Sequence, residues 1–461
     1  MSVARVILTM GSGDMAQLGR GSKEADREAV RPQLVPDLTA TGSKVAVGAL
    51  HNFVCDANGR VLSWGCNDEG ALGREGDEWL PMPVAGRLGR PQDVDGEERA
   101  AVWKVACGAS HSLVLTSDER VYACGLFRDA NGPMTAATPE LREVAGLPTK
   151  VGIVDVAAGD HHALALDRAG RVHQWGDIGL GRRMSARNKQ SSKLRPQLVR
   201  FIDVRDAASP DVVRVFAGGH SSFVLDAHGT AWAWGPCNYN QLGFGVGVSE
   251  NKNKNVNVDT PAIVNACPVT GLPPLVEVAC AMHHTLFLAR DGRVFAVGRN
   301  DDGRLGVGDL ISRAVPTQVM VGSDNEDRVV HVACGEAHSL FTTQRGHVYV
   351  CGYGDLMQLG LGHSRNVLAP TRIQGTHHRF ASAHGGAQHS LLVGTRTEDE
   401  EDEPMATENE EPSPVASAAF VPAALVSHPQ SSTTSTWDCQ TCLLANETHL
   451  LVCRACDTPQ S

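Results

Sequence analysis

Nowhere does the 461-residue chain approach the ~18 uncharged apolar residues that a membrane-spanning helix needs. The opening MSVARVILTMGSGD has no basic stretch leading into a long apolar core, so no signal peptide is read there. An intracellular protein with reduced cysteines is the resulting expectation, unless those cysteines bind metal. Long amphipathic helix patterns are missing throughout, which argues against any helical fold class. Glycine is plentiful at 48 residues but follows no Gly-X-Y period, so collagen is excluded and turn-rich structure is favoured.

Basic excess is also lacking. The formal net charge is −11, but nine acids and no base fall within residues 398–411. The rest of the tail has two more acids than bases, which leaves residues 1–397 formally neutral. A neutral body does not bind nucleic acid through overall charge, so any basic surface is local. One local cluster exists between Ile178 and Phe201, with Arg182, Arg183, Arg187, Lys189, Lys193, Arg195 and Arg200 and no acid. It reads either as a solvated loop or as a contact for an acidic partner or phosphates.

What the chain does have is repetition. VAVGALHNFVCDANGRVLSWG at 45–65 recurs as VACGASHSLVLTSDERVYACG at 105–125 and VAAGDHHALALDRAGRVHQWG at 156–176. Further copies follow at 215–235, 278–298 and 332–352, and a truncated seventh at 383–394. The anchor positions are His51, His111, His162, Ser221, His284, His338 and His389, spaced by 51 to 63 residues. Each copy alternates at period two around a Gly-, Asp- or Asn-containing turn, as a β-hairpin does. Gly-rich returns such as CNDEGALGR at 66–74 follow the second strand. Seven four-stranded units of this length suit an all-β, seven-bladed propeller, in which no blade buries both faces alone. The seventh copy lacks its closing strand, whereas RVILTMGSGDMAQLG at 5–19 is an orphan strand and return. The N-terminal strand is therefore expected to complete the last blade.

Six anchors are histidines at one fixed spacing, which points to hydrogen-bonded braces between loops rather than to catalysis. Cys107 with His111 is likewise a repeat position and not a nucleophile pair. GSGDMA imitates a dinucleotide fingerprint, but no helix pattern follows it.

After residue 394 the composition changes. Residues 395–435 are acidic, then rich in Pro, Ser, Thr and Ala, and are expected to be a disordered linker. Within 436–459, Cys439-x-x-Cys442 is followed by Cys453-x-x-Cys456. Four thiolates in two knuckles predict one tetrahedral zinc ion, which supplies folding energy that so short a segment cannot.

These residues resemble known families. The repeats over 3–394 are similar to the regulator of chromosome condensation family, the exchange factor for the small GTPase Ran, with GCNDEGALGR (65–74) and GLFRDANG (125–132) carrying the likeness. The resemblance implies a nuclear, chromatin-associated, monomeric exchange factor without bond-making chemistry and without membrane attachment. It implies that a hairpin wedge of Phe127, Arg128, Asp129, Asn131 and Gly132 presses on the GTPase, beside Asp160, His161 and His283. It also implies that the loop holding Arg182, Arg183, Arg187, Lys189, Lys193 and Arg195 meets an acidic nucleosome surface. Three departures stand out: Ala109 replaces a family aspartate, an acid expected at 161 sits instead at Asp160, and Pro133-Met134 differs from the wedge's usual ending. The tail resembles the Ran-binding-protein type of zinc finger, with Trp437 and Asn446 in place. Its Leu443-Leu444 is similar to the dipeptide of Ran-binding fingers. The competing reading is a non-catalytic propeller scaffold whose finger binds ubiquitin or RNA.

Overall fold

The computed structural model describes residues 5–56, 59–84, 100–129, 132–134, 137–179, 194–201, 210–245, 262–322, 327–396, 436–438 and 445–447. Two compact units divide the chain, the first through Glu400 and the second from Glu401.

The first unit is a seven-bladed β-propeller. Each blade is an antiparallel sheet that runs outward from a central channel, and the repeats supply its inner three strands. Blade 2 is typical: Val102–Cys107 lines the channel, then His111–Thr116, Val121–Gly125 and the outer Thr138–Glu143. The second strand of each blade is buried on both faces, as in His111–Thr116 and His162–Asp167, because it is sandwiched between two neighbouring blades. Phe53, Cys55, Val105 and Val114 share one cluster between blades 1 and 2. Phe223 and Phe287 meet edge to face between blades 4 and 5, 5.8 Å apart.

Ring closure is made by the N-terminus, as the orphan strand implies. Arg5–Ser12 pairs antiparallel with His389–Arg396, placing Ile7 opposite Val393 and Leu8 opposite Leu392. The long strand Glu28–Val47 then does double duty, which the repeat pattern does not reveal. Its first part pairs with Arg5–Ser12 as the outermost strand of blade 7, with Leu34 opposite Leu8. Its last part pairs with His51–Asp56 as the innermost strand of blade 1, with Val45 opposite Val54. The return loop after the first strand is also gripped from blade 1: Asn52 Nδ2 and Trp64 Nε1 both donate to the Gln17 carbonyl, at 2.9 and 3.1 Å.

The joints carry a second set of bonds. Nε2 of His51, His162, His284 and His338 meets the hydroxyl of Ser112, Ser222, Ser339 and Ser390 respectively on the following blade, at 2.8–3.0 Å. His389 closes the circle on Asn52 Oδ1 at 2.8 Å. Deeper along the channel, Lys104 pairs with Asp155 at 2.5 Å, and Asp155 accepts the Val215 N–H of the next blade at 3.0 Å. Glu277 does the same for Val332 N–H at 3.2 Å.

In the second unit, Thr436–Asp438 pairs antiparallel with Ala445–Glu447, setting Trp437 opposite Asn446. Cys439, Cys442, Leu443, Leu444, Cys453 and Cys456 lie outside the described residues.

Two outcomes follow from this architecture. Deleting residues through Gly19 removes the fully or nearly fully buried Ile7, Leu8 and Met10. At ~1.5–3 kcal/mol each, their loss rivals the ~5–15 kcal/mol that holds an ordinary domain together. The truncated ring should melt far below the intact protein in a calorimeter, and equal melting temperatures would rule out N-terminal closure. The second outcome concerns acid. Burial pushes the imidazoles of His111, His162, His338 and His389 down to about 3 and that of His51 to about 4. Below pH ~6.5 the unfolded chain therefore binds more protons than the folded one, so stability is complete above that pH and lost as pH falls toward the folded values. Replacing one of them, as in His338→Asn, should flatten the stability–pH slope below 6.5 by about 1.4 kcal/mol per pH unit. An unaltered slope would show that the ring is not kept neutral.

Candidate functional site

One end of the channel gathers several of the residues singled out above. There each inner strand ends, the chain turns, and the residue before the anchor faces outward. In blades 3, 4 and 5 that residue is a histidine: His161, His220 and His283. The backbone holds two of them from behind, since Asp177 N–H donates to the His161 carbonyl at 2.8 Å and Arg299 N–H to that of His283 at 2.9 Å. His161 and His220 lie 5.6 Å apart, ring centroid to centroid. His283 meets the edge of Tyr239 at 4.6 Å, and the Arg299 guanidinium lies over the same Tyr239 ring at 5.5 Å. Arg299 is in turn held by Asp301 at 2.5 Å.

The channel encloses about 400 Å³. Its rim includes Ala109, Asp160 and Glu336. Ala109 N–H donates to the Asp160 carbonyl at 3.2 Å, and Asp160 N–H to that of Gly219 at 3.0 Å, so the rim loops are tied to one another. Burial raises the Asp160 carboxyl above the usual carboxylate range, while the neighbouring His161 and His220 pull it back. Glu336 is raised by burial first and then by Asp160 itself. Burial also lowers His161 and His283, the latter helped by the positive charges of Arg304 and Arg299. The rim thus carries two imidazoles, His161 and His283, that burial disfavours charging, and two carboxyls, Asp160 and Glu336, that burial disfavours ionising.

Beside this rim stands the insertion of blade 2. Arg128–Asp129 pairs antiparallel with Gly132–Pro133, Gly132 opposite Asp129 and Pro133 opposite Arg128. Gly132 has φ +116°, and a side chain built there would meet nothing within 4 Å, so this strand of the hairpin faces open space. Arg128 forms an ion pair with Glu69 from the return loop of blade 1, and its charge is felt at His161. Phe127 behaves differently from its wedge neighbours: it is buried, stacks on His111 at 4.2 Å, and shares a core cluster with Met134 and Trp175. It anchors the hairpin from below and presents no contact surface. Asn131 lies outside the described residues, as do Arg182, Arg183, Arg187, Lys189 and Lys193. Arg195 is exposed just before the outer strand Gln197–Leu198 of blade 3.

Thus Arg128, Asp160 and His161 come together, with His283 two blades further round. His220, Tyr239 and Glu336 belong to the same face and were not anticipated. His220 could have been found, because it stands at the same repeat offset as His161 and His283.

Comparison with known proteins agrees with this architecture. Residues 6–392 match the family described as RCC1-like domain. The human Regulator of chromosome condensation is 28% identical over 84% of this chain and 90% of its own. Guanine nucleotide exchange factor SRM1 from Saccharomyces cerevisiae is 29% identical over 87% of this chain and 90% of its own. A crystal structure of Prp20p from Saccharomyces cerevisiae, characterised for its binding to Gsp1p and histones, superposes with a TM-score of 0.72 at 26% identity, covering 87% of this chain and 93% of that one. Human WBSCR16, at 21% identity and a TM-score of 0.67, shares the fold. With the match running from the closing N-terminal strand to the seventh blade, the chain belongs to the RCC1-like domain family.

Proposed function

We propose that this protein is a guanine-nucleotide exchange factor for a Ran-like small GTPase, and that the hairpin end of the channel is its working face. The observation that carries the reading is the hairpin itself. Among the described residues it interrupts the repeat in blade 2 alone, stands beside Asp160 and His161, and is rooted in the core by Phe127. An exchange factor makes and breaks no covalent bond. It binds the nucleotide-free GTPase more tightly than the nucleotide-bound form, and by linkage it weakens nucleotide affinity by the same factor. Such a task calls for a surface that does not yield, so that the GTPase and not the factor changes shape. Arg128 and Asp129 are the wedge's charged contacts; Asp160, His161, His220 and His283 receive the body of the GTPase. Kinship with a protein named as a guanine-nucleotide exchange factor, and with one characterised for Gsp1p binding, supports this.

Replacing Arg128 and Asp129 together with Ala should slow nucleotide release from Ran roughly tenfold, the loss of about 1.4 kcal/mol of differential binding. Melting should barely move, because the half-exposed Arg128–Glu69 pair is screened by solvent. A stopped-flow release assay decides it. No release by the wild type would instead favour the scaffold reading, for which the loss of acid at Ala109 speaks.

Three finer assignments accompany this reading. The loop with Arg182, Arg183, Arg187, Lys189, Lys193 and Arg195 meets an acidic nucleosome surface, consistent with the histone binding studied for Prp20p. The protein works in the nucleus. Cys439, Cys442, Cys453 and Cys456 hold one zinc ion, and Leu443, Leu444 and Asn446 form a second GTPase contact. The pairing of Asp438 with Ala445 brackets the first Cys-x-x-Cys, as a knuckle requires. Two tethered contacts would gain by effective concentration. Metal analysis should find one zinc per chain, lost in Cys439→Ser while the ring still melts normally. Leu443→Ala with Leu444→Ala should keep the zinc yet weaken Ran binding; tighter binding to ubiquitin than to Ran by the wild-type tail would reverse the assignment.

A further inference from the structure

Among the described residues, four joints of the ring share a two-part clasp. The anchor histidine of one blade meets a polar side chain on the next, and that side chain also ties down a carbonyl of the return loop. Ser112 Oγ donates to Ala71 O at 2.9 Å, Ser339 to Arg304 O at 2.6 Å, Ser390 to Gln358 O at 2.9 Å, and Asn52 Nδ2 to Gln17 O at 2.9 Å. The joint between blades 2 and 3 has neither part. Ala163 stands where the hydroxyl belongs, and Arg128–Asp129 paired with Gly132–Pro133 takes the place of a return loop.

His111 is left fully buried there without a side-chain hydrogen bond across the joint, although the His162 backbone lies within reach of its ring. Its ring lies instead against Phe127, centroids 4.2 Å apart and planes inclined by 29°. Phe127 opens the hairpin, and its carbonyl accepts the Met134 N–H that closes it, at 2.8 Å. Gly176 on blade 3 leaves room for this arrangement, since a Cβ there would lie 3.0 Å from the Phe127 ring. A further tether, the Arg128–Glu69 pair, has its guanidinium partly exposed and is screened by solvent.

We propose that His111 is a positioning residue for the hairpin: released from the clasp that four other joints use, its ring is the plate on which Phe127, and through it the paired Arg128–Asp129 and Gly132–Pro133, is mounted. The functional consequence rests on the exchange-factor reading; the mount itself does not. Stacking of this kind needs an aromatic face and no ring nitrogen, which separates it from the clasp.

Hydrogen–deuterium exchange on the full chain tests the mount. His111→Ala should speed exchange at Met134 and across 127–134 roughly three- to tenfold, the span expected for losing one aromatic pair. His111→Phe should restore protection. His338→Ala, which breaks an ordinary clasp, should lower the melting temperature while leaving the hairpin protected and nucleotide release from Ran at the wild-type rate. His111→Ala should slow that release. If His111→Ala does not fold, Phe127→Leu removes the same stack while keeping apolar volume, and the same local loosening is expected. Unchanged hairpin exchange in the folded variant, equal loosening in His338→Ala, or failure of His111→Phe to protect would each overturn the proposal. A wild type that releases no nucleotide from Ran would refute the exchange-factor reading and leave the hydrogen-exchange result to judge the mount alone.

Discussion

A blade of this ring has no interior of its own. Its two faces are apolar, and each is buried only when a neighbour packs against it, so every blade depends on the one before and the one after. The dependence is cyclic, and it is satisfied at the junction where the two ends of the ring meet. There Arg5–Ser12 pairs with His389–Arg396, Ala387 N–H donates to the Ala49 carbonyl at 2.9 Å, and His389 reaches Asn52. Glu28–Val47 then passes from blade 7 into blade 1 without a break, so the junction is crossed by covalent chain as well as by hydrogen bonds. Opening it would expose two apolar faces and two strand edges at once.

The joints turn closure into stiffness. Buried imidazoles held neutral, serine hydroxyls that accept from one blade and donate to another loop, and the ion pairs along the channel each fix the angle between neighbours. Every one of these groups would be costly to leave unpaired in so dry a place. The polar network therefore sets the geometry, whereas the side chains of the six core clusters supply the driving force. A partner pressed against the rim meets a surface that cannot easily deform.

Much of this was legible in the residues. The anchor spacing, the period-two alternation and the orphan strand at 5–19 together specify a closed seven-fold ring, because each reports which faces must be covered. The double duty of Glu28–Val47 was hidden, since its first part carries no repeat phrase and reads as loop. At the candidate site the hairpin was visible as an interruption of the repeat. The burial of Phe127 was not, because it depends on Ala163 and Gly176, small residues of another blade that leave space without announcing what fills it. His220 escaped notice for a related reason: its blade carries Ser221 at the anchor, so a search for the anchor histidine passes over the neighbour that faces outward. Tyr239 and Glu336 come from return and rim loops that meet only when the ring is closed.

The departures at the rim have a common physical logic. Ala109 removes a carboxylate from blade 2, but its N–H is bonded to the carbonyl of Asp160, so the two positions are adjacent on one rim. Asp160 thus keeps a carboxyl group within one blade of Ala109, and His161 takes the outward position. The charge is more deeply set, and burial makes it dearer to ionise. A cationic group brought to the rim by a partner would lower that cost, so binding and ionisation of Asp160 are coupled and each favours the other. The same holds for Glu336, whose carboxyl is raised partly by Asp160.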